Sequence, residues 1–177
     1  MSVFYEFEQV DAFTAGAVGR PGSRVFYLQA RVGKQRVAVK CEKQQVAAIA
    51  DYLRTVLNDL PPPDDRPMSD ALELIEPVDE AFVLGPIGLG YDRTSDRLVV
   101  QLDEFRLGGD EDDDDIELIG GPDDADEADG HIRIYVTRGQ AASFCDHADQ
   151  VVAAGRPDCR WCGLPIDPDG HACPRMN

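Results

Sequence analysis

No stretch of this sequence reaches the roughly 18 consecutive apolar residues that a membrane-spanning helix needs. Its opening, MSVFYEFEQVDAF, has neither a basic start nor an apolar run. That pattern predicts no signal peptide and no membrane anchor, and so a cytoplasmic protein whose thiols stay reduced. The five cysteines are an odd number, which fits poorly with a closed disulfide framework. The three histidines leave general acid–base chemistry with few candidates. Lys and Arg total 17 against 34 Asp and Glu, for a net charge of −17. A chain this acidic repels phosphate backbones, and no Lys/Arg cluster in the linear sequence supplies a separate basic face, so nucleic acid is not an expected partner. Also missing are a G-x-S-x-G elbow, an H-E-x-x-H helix and a Walker loop, so no catalytic residue is expected.

What is present is a hydrophobic content of 43% in 177 residues, enough for a real core in one domain or two small ones. It also reads as one unit used twice. DAFTAGAVG from Asp11 resembles EAFVLGPIG from Glu80, at an offset of 69. RVFYL from Arg24 resembles RLVVQ from Arg97 at 73, and VAVKCEKQQVAAIAD from Val37 resembles IRIYVTRGQAASFCD from Ile132 at 95. Alternation marks strands, with Phe26, Leu28 and Ala30 on one face and Leu98, Val100 and Leu102 on another. A 3.6-residue period marks two helices. Val46, Ile49, Ala50, Leu53, Val56 and Leu57 form one apolar stripe; Ala141, Phe144, Cys145, Ala148, Val151 and Val152 form the other. Thr137 with Gln140 fits a capping box, and Glu42 with Gln45 holds the matching place. The expected fold is α+β: duplicated βββα units forming a pseudo-twofold six-stranded antiparallel sheet or barrel with two helices, plus a small C-terminal zinc-binding knuckle.

The expected organisation is a first βββα repeat over 1–60, a Pro-rich linker over 61–79, a second repeat over 80–154 and a zinc-binding tail over 155–177. The prolines of DLPPPDDRPM (Asp59 to Met68) end the first helix. The jump in offset locates an acidic, disordered insertion at 109–130 between two strands of the second repeat. Asp110 to Gly130 alone carries twelve acids and no base, so that the remainder of the chain has a net charge of only −5. Such a segment reads as a solubilising loop, or as a dock for a basic partner surface.

Three of the five cysteines lie in the closing GRPDCRWCGLPIDPDGHACPRMN. The pattern is C-x2-C-x8-H-x-C, with Cys159, Cys162, His171 and Cys173 as candidate metal ligands. Two residues between cysteines allow both sulfurs to face one point, and LPIDPDG has the composition of a chain reversal. Four protein ligands leave no open position, so the expected cofactor is structural Zn2+. The tail holds too few apolar residues to fold through a core, and a metal can supply that stability. A redox Cys-x-x-Cys and an unstructured tail are the alternatives.

Elsewhere, GAVGRPGSR (Gly16 to Arg24) sets Arg20, Ser23 and Arg24 beside glycines, a candidate anion nest if it is more than a loop between strands. Cys41 and Cys145 read as packing, His147 as solvent-facing and His131 as structural. GAVGRPGSRVFYLQAR, EKQQVAAIADYL and the closing motif together resemble an uncharacterised bacterial family, of domain-of-unknown-function type, found mainly in high-GC Gram-positive bacteria. The resemblance covers most of the chain outside the acidic insertion. It implies a small cytoplasmic protein with a C-terminal cysteine/histidine cluster, and it implies no activity. Three functions are therefore carried forward. The first is a non-catalytic, zinc-stabilised adaptor that binds another protein. The second is a nucleic-acid-binding zinc protein in which Trp161 stacks on a base. The third is an enzyme or accessory subunit binding a phosphorylated ligand at Gly16–Arg24.

Overall fold

The computed structural model describes residues 3–106 and 130–175. The expected insertion at 109–130 therefore lies outside the described residues, apart from Gly130. The chain forms strands β1 (Phe4–Phe7), β2 (Ala12–Val18), β3 (Val25–Val32) and β4 (Gln35–Cys41), then helix α1 (Lys43–Asn58). A 3-10 turn (Ser69–Leu72) leads to β5 (Glu80–Asp92), β6 (Arg97–Glu104), β7 (His131–Val136) and helix α2 (Arg138–Ala153). The order β-β-β-α thus occurs twice after β1.

The sheet corrects the expectation of six antiparallel strands. It has seven, in the order β1-β7-β6-β5-β4-β3-β2, and it is mixed. β4 pairs with β5 in parallel and β1 pairs with β7 in parallel, while the other neighbours are antiparallel. The parallel pair at the centre follows from the connection. α1 and the segment after it carry the chain back to the end of the sheet where β4 began, so β5 must run the same way. β1 was missed because FYEF is four residues long and stands outside the repeated pattern.

β1 and β2 lie at opposite edges of this sheet but are separated by only residues 8–11. A flat seven-stranded sheet would set its edges about 29 Å apart. The chain from Phe7 to Ala12 spans at most about 17 Å. The sheet is therefore curled toward a barrel, and α2 lies along the seam. From α2, the Gln140 amide donates to the Val10 carbonyl (2.7 Å) and His147 Nε2 meets the Ala15 carbonyl on β2 (3.0 Å). His147, expected in solvent, instead sits half-buried against this strand edge. α1 makes the corresponding bonds to β5: the Gln45 amide donates to Leu84 O (3.3 Å) and Gly85 O (3.2 Å), and Tyr52 donates to Leu89 O (3.2 Å).

Burial explains why these segments take these forms. Leu28, Val39, Leu98, Val100, Ile132 and Ile134 alternate along their strands and meet the apolar stripes of both helices in one core. The Phe13 and Phe144 rings stack across it at 4.7 Å between centroids. Both expected capping boxes are formed, Glu42 with Gln45 and Thr137 with Gln140, satisfying backbone groups that a helix end otherwise leaves unpaired. The outer face of β2 and β3 is covered by the segment after the prolines. Buried Thr14 donates to the Leu72 carbonyl, and the Gln29 side chain exchanges two 3.1 Å bonds with the Ile75 backbone. Part of the expected linker is thus a strap on the body. The GPIGLG run lies inside β5, with Pro86 at a register shift between Leu84 and Ile87, a place where proline costs no ladder bond.

Candidate metal centre

The tail begins where α2 ends, and the glycine loop holds that junction. Arg24 Nη1 donates to the Val151 carbonyl at 3.1 Å, and its guanidinium lies 4.9 Å from the centre of the Phe26 ring. α2 has no basic residue of its own in its last turn, so Arg24 supplies from another segment the cation that a helix C-terminus favours. Of the three candidate anion ligands, Arg24 is therefore engaged on the helix end. Arg20 and Ser23 are exposed in a turn closed by a Ser23 N–H bond to Arg20 O (2.9 Å).

Beyond the junction, residues 157–166 form a tight hairpin. Cys159 N–H donates to Leu164 O, Gly163 N–H to Cys159 O and Ile166 N–H to Pro157 O, each at 2.8 Å. Gly163 takes a φ of 73° at the turn, a conformation that costs glycine little. A second turn, with Gly170 N–H on Asp167 O at 2.8 Å, brings the chain back toward the hairpin. The tail is tied to itself by Arg156 and Asp167 at 2.5 Å.

These two turns bring Cys159, Cys162, His171 and Cys173 together, their donor atoms all within 4.8 Å of one another. Cys159 Sγ lies 3.9 Å from Cys173 Sγ, and Cys162 Sγ lies 3.3 Å from His171 Nε2. Tetrahedral zinc with bonds of about 2.3 Å to sulfur and 2.0–2.1 Å to nitrogen has edges of about 3.8 Å between sulfurs and about 3.6 Å from sulfur to nitrogen. These two edges are close to those of a tetrahedral ion, and the donor set of three thiols and one imidazole could hold one without further ligands. Cys159 is buried and the other three are half-buried.

Backbone amides prepare the sulfurs. The Trp161 and Cys162 N–H groups point at Cys159 Sγ and hold its thiol down to about 7. The Leu164 amide does the same for Cys162, but burial and the neighbouring Cys159 and Cys173 sulfurs outweigh it and push that thiol up. Such amide–sulfur bonds orient ligands and spread the charge of a bound thiolate. The Cys-x-x-Cys sits on a hairpin rather than at the start of a helix, where a thioredoxin-type pair would lie. Cys41 and Cys145 stay in the core, far from thiolate chemistry, because burial pushes their thiols up to about 12 and about 11. Cys145 Sγ contacts the Ala50 carbonyl at 3.3 Å. His131, read as structural, pairs with Asp103 across the β6–β7 ladder at 2.5 Å and stacks on Phe4.

Among the described residues no other Cys/His group gathers in this way. A cavity of about 470 Å3 lies at the start of α2, but its Arg138 is already held by Pro61 O (2.5 Å) and Asp96 (3.2 Å). No described helix is long and apolar enough to cross a membrane. No curated protein and no solved structure matches the chain. A family model does, over residues 5–173, a span that runs from β1 to the last of the four cluster residues. The chain therefore belongs to the family described as "Protein of unknown function (DUF3090)".

Proposed function

We propose that this protein is a non-catalytic adaptor whose C-terminal tail is folded by a structural zinc ion and presents a surface to another protein. The observation that carries the reading is what the cluster displays. Trp161, between Cys159 and Cys162, is 55% exposed, and Leu164, just past the turn, is 51% exposed. Large apolar side chains held rigidly in the open are costly in a free molecule and typical of binding anchors. The zinc supplies the rigidity. Its four protein ligands leave no position for substrate or water, so its role is to hold the two turns together. The body is read as a duplication closed by a pseudo-twofold along the barrel axis. Residues 95 apart, Gln45 with Gln140 and Tyr52 with His147, reach backbone carbonyls in the first strand of the other unit or, for Gln140, at Val10 just before it.

Trp161 is the sole tryptophan, so its fluorescence reports on this surface alone. The adaptor reading predicts that a protein co-purifies with the full chain from its native cell after nuclease treatment, and that Trp161→Ala abolishes its capture with zinc content unchanged. Equal capture by the variant would sink the reading. A second reading has its own observation: the Arg160 guanidinium lies 5.6 Å from the Trp161 ring centre, a pairing that could offer a base a platform. Salt-sensitive quenching of Trp161 by single-stranded oligonucleotides would favour that alternative.

A further inference from the structure

The β3–β4 hairpin gathers basic residues on its outer face. Between Val25 and Cys41 the chain carries Arg31, Lys34, Arg36 and Lys40 and no acid. Alternation directs Val37, Val39 and Cys41 into the core, so Arg36 and Lys40 stand on the outer face of β4. Pairing sets Arg31 of β3 directly opposite Arg36 of β4, and like charges so placed repel. Arg31 is partly relieved, because it donates to the Ala71 carbonyl of the strap. Lys34 and Arg36 are exposed, and neither has a carboxylate partner among the described residues. They stand together on the wall of a cavity of about 210 Å3. Its floor is Ala38 and Gln29, with the Gln29 amide already held at both ends by Ile75. Pro77 and Asp79 complete the rim.

Lys34 and Arg36 thus line one small cavity without a carboxylate in ion-pair contact, and Arg36 also stands opposite Arg31 in the ladder. Local departures from favourable pairing concentrate at functional sites. We infer that this cavity binds the phosphate group of a small ligand, with Lys34 and Arg36 as its cationic donors. The cavity has room for one such group and its immediate substituent. Lys34 is a mobile point charge and Arg36 a planar fork, a combination suited to a tetrahedral dianion. The site is separate from the metal centre and does not depend on the adaptor reading.

The test is a calorimetric titration of the full zinc-loaded chain at fixed ionic strength, with inorganic phosphate in one arm and glycerol 3-phosphate in the other. Saturable binding at about 1 mM or tighter is expected, weakened about tenfold by Lys34→Gln and by Arg36→Gln. Tighter binding of the ester identifies an organic phosphate as the ligand; equal affinity identifies the free ion. Arg93→Gln, in an exposed turn elsewhere, serves as a charge control and should bind as the native chain does. Arg36→Gln should melt at or above the native temperature, because it removes a repulsion. No saturable binding in either arm, or the same loss in Arg93→Gln as in Arg36→Gln, overturns the inference.

Discussion

The five thiols divide by environment, and that division can be measured. Cys41 and Cys145 lie in the core with their thiols pushed up to about 12 and about 11 by burial, whereas the other three belong to the tail cluster. In the chelated, folded protein a thiol reagent at pH 8 should therefore modify the three tail cysteines and spare these two. Modification of all five before unfolding would contradict the placement. The raised values also fix a pH dependence. Both thiols are neutral when folded, so their contribution is complete below the unfolded value near 8.5–9 and is lost as pH rises toward 11–12. Stability measured by denaturant should fall across that window, and Cys145→Ala should flatten the fall. Arg24 makes a third residue-scale case. Removing the cation from the end of α2 with Arg24→Met should cost about 1 kcal/mol, visible as a lower denaturation midpoint; no change would show the Val151 contact to be idle. The cluster was legible in the sequence because ligand spacing is a local property. The partners of Arg24 and His147 were not, since each lies more than a hundred residues away.

At the scale of elements, the two helices and most strands followed from periodicity, and both capping boxes from four residues. What periodicity cannot express is which element covers which. DLPPPDDRPM correctly stopped α1, yet nothing in its composition announced that the chain just beyond it would seal a polar face. That seal gives a prediction. Thr14 is fully buried and donates to the Leu72 carbonyl. Thr14→Val keeps the shape but leaves that carbonyl unpaired, at a cost of about 1–3 kcal/mol, and it should increase proteolysis around residues 69–75. A variant as stable as the parent would mean the strap does not depend on this bond. The two capping glutamines offer a comparison. Gln140 closes its box and also bonds Val10 at 2.7 Å, while the outward bonds of Gln45 are 3.2–3.3 Å long. Gln140→Ala should accordingly destabilise more than Gln45→Ala, by about 1–2 kcal/mol in the first case; the opposite order would argue against α2 as the seal of the seam.

At the scale of the whole molecule, a curled sheet and a helix pair share one core, and a short tail carries the cysteine/histidine cluster. The body has a core of its own, whereas in the described tail Cys159 alone is buried, beside the three other residues of its cluster. The expected acidic insertion falls between β6 and β7, whose facing ends pair Asp103 with His131. Deleting 110–129 should therefore leave cooperative unfolding intact, with a melting temperature within a few degrees of native; a broad, non-cooperative transition would contradict it. The mixed sheet was not legible because strand direction is set by the path of the connections, which hydrophobic patterning does not record. The account rests on the metal, and the most direct measurement is elemental analysis of the freshly purified full chain alongside Cys162→Ser and Cys41→Ser. About one zinc per chain is predicted for the native protein and for Cys41→Ser, with a large loss in Cys162→Ser. Less than about half an equivalent in the native chain, or an equal zinc content in all three, would contradict the account.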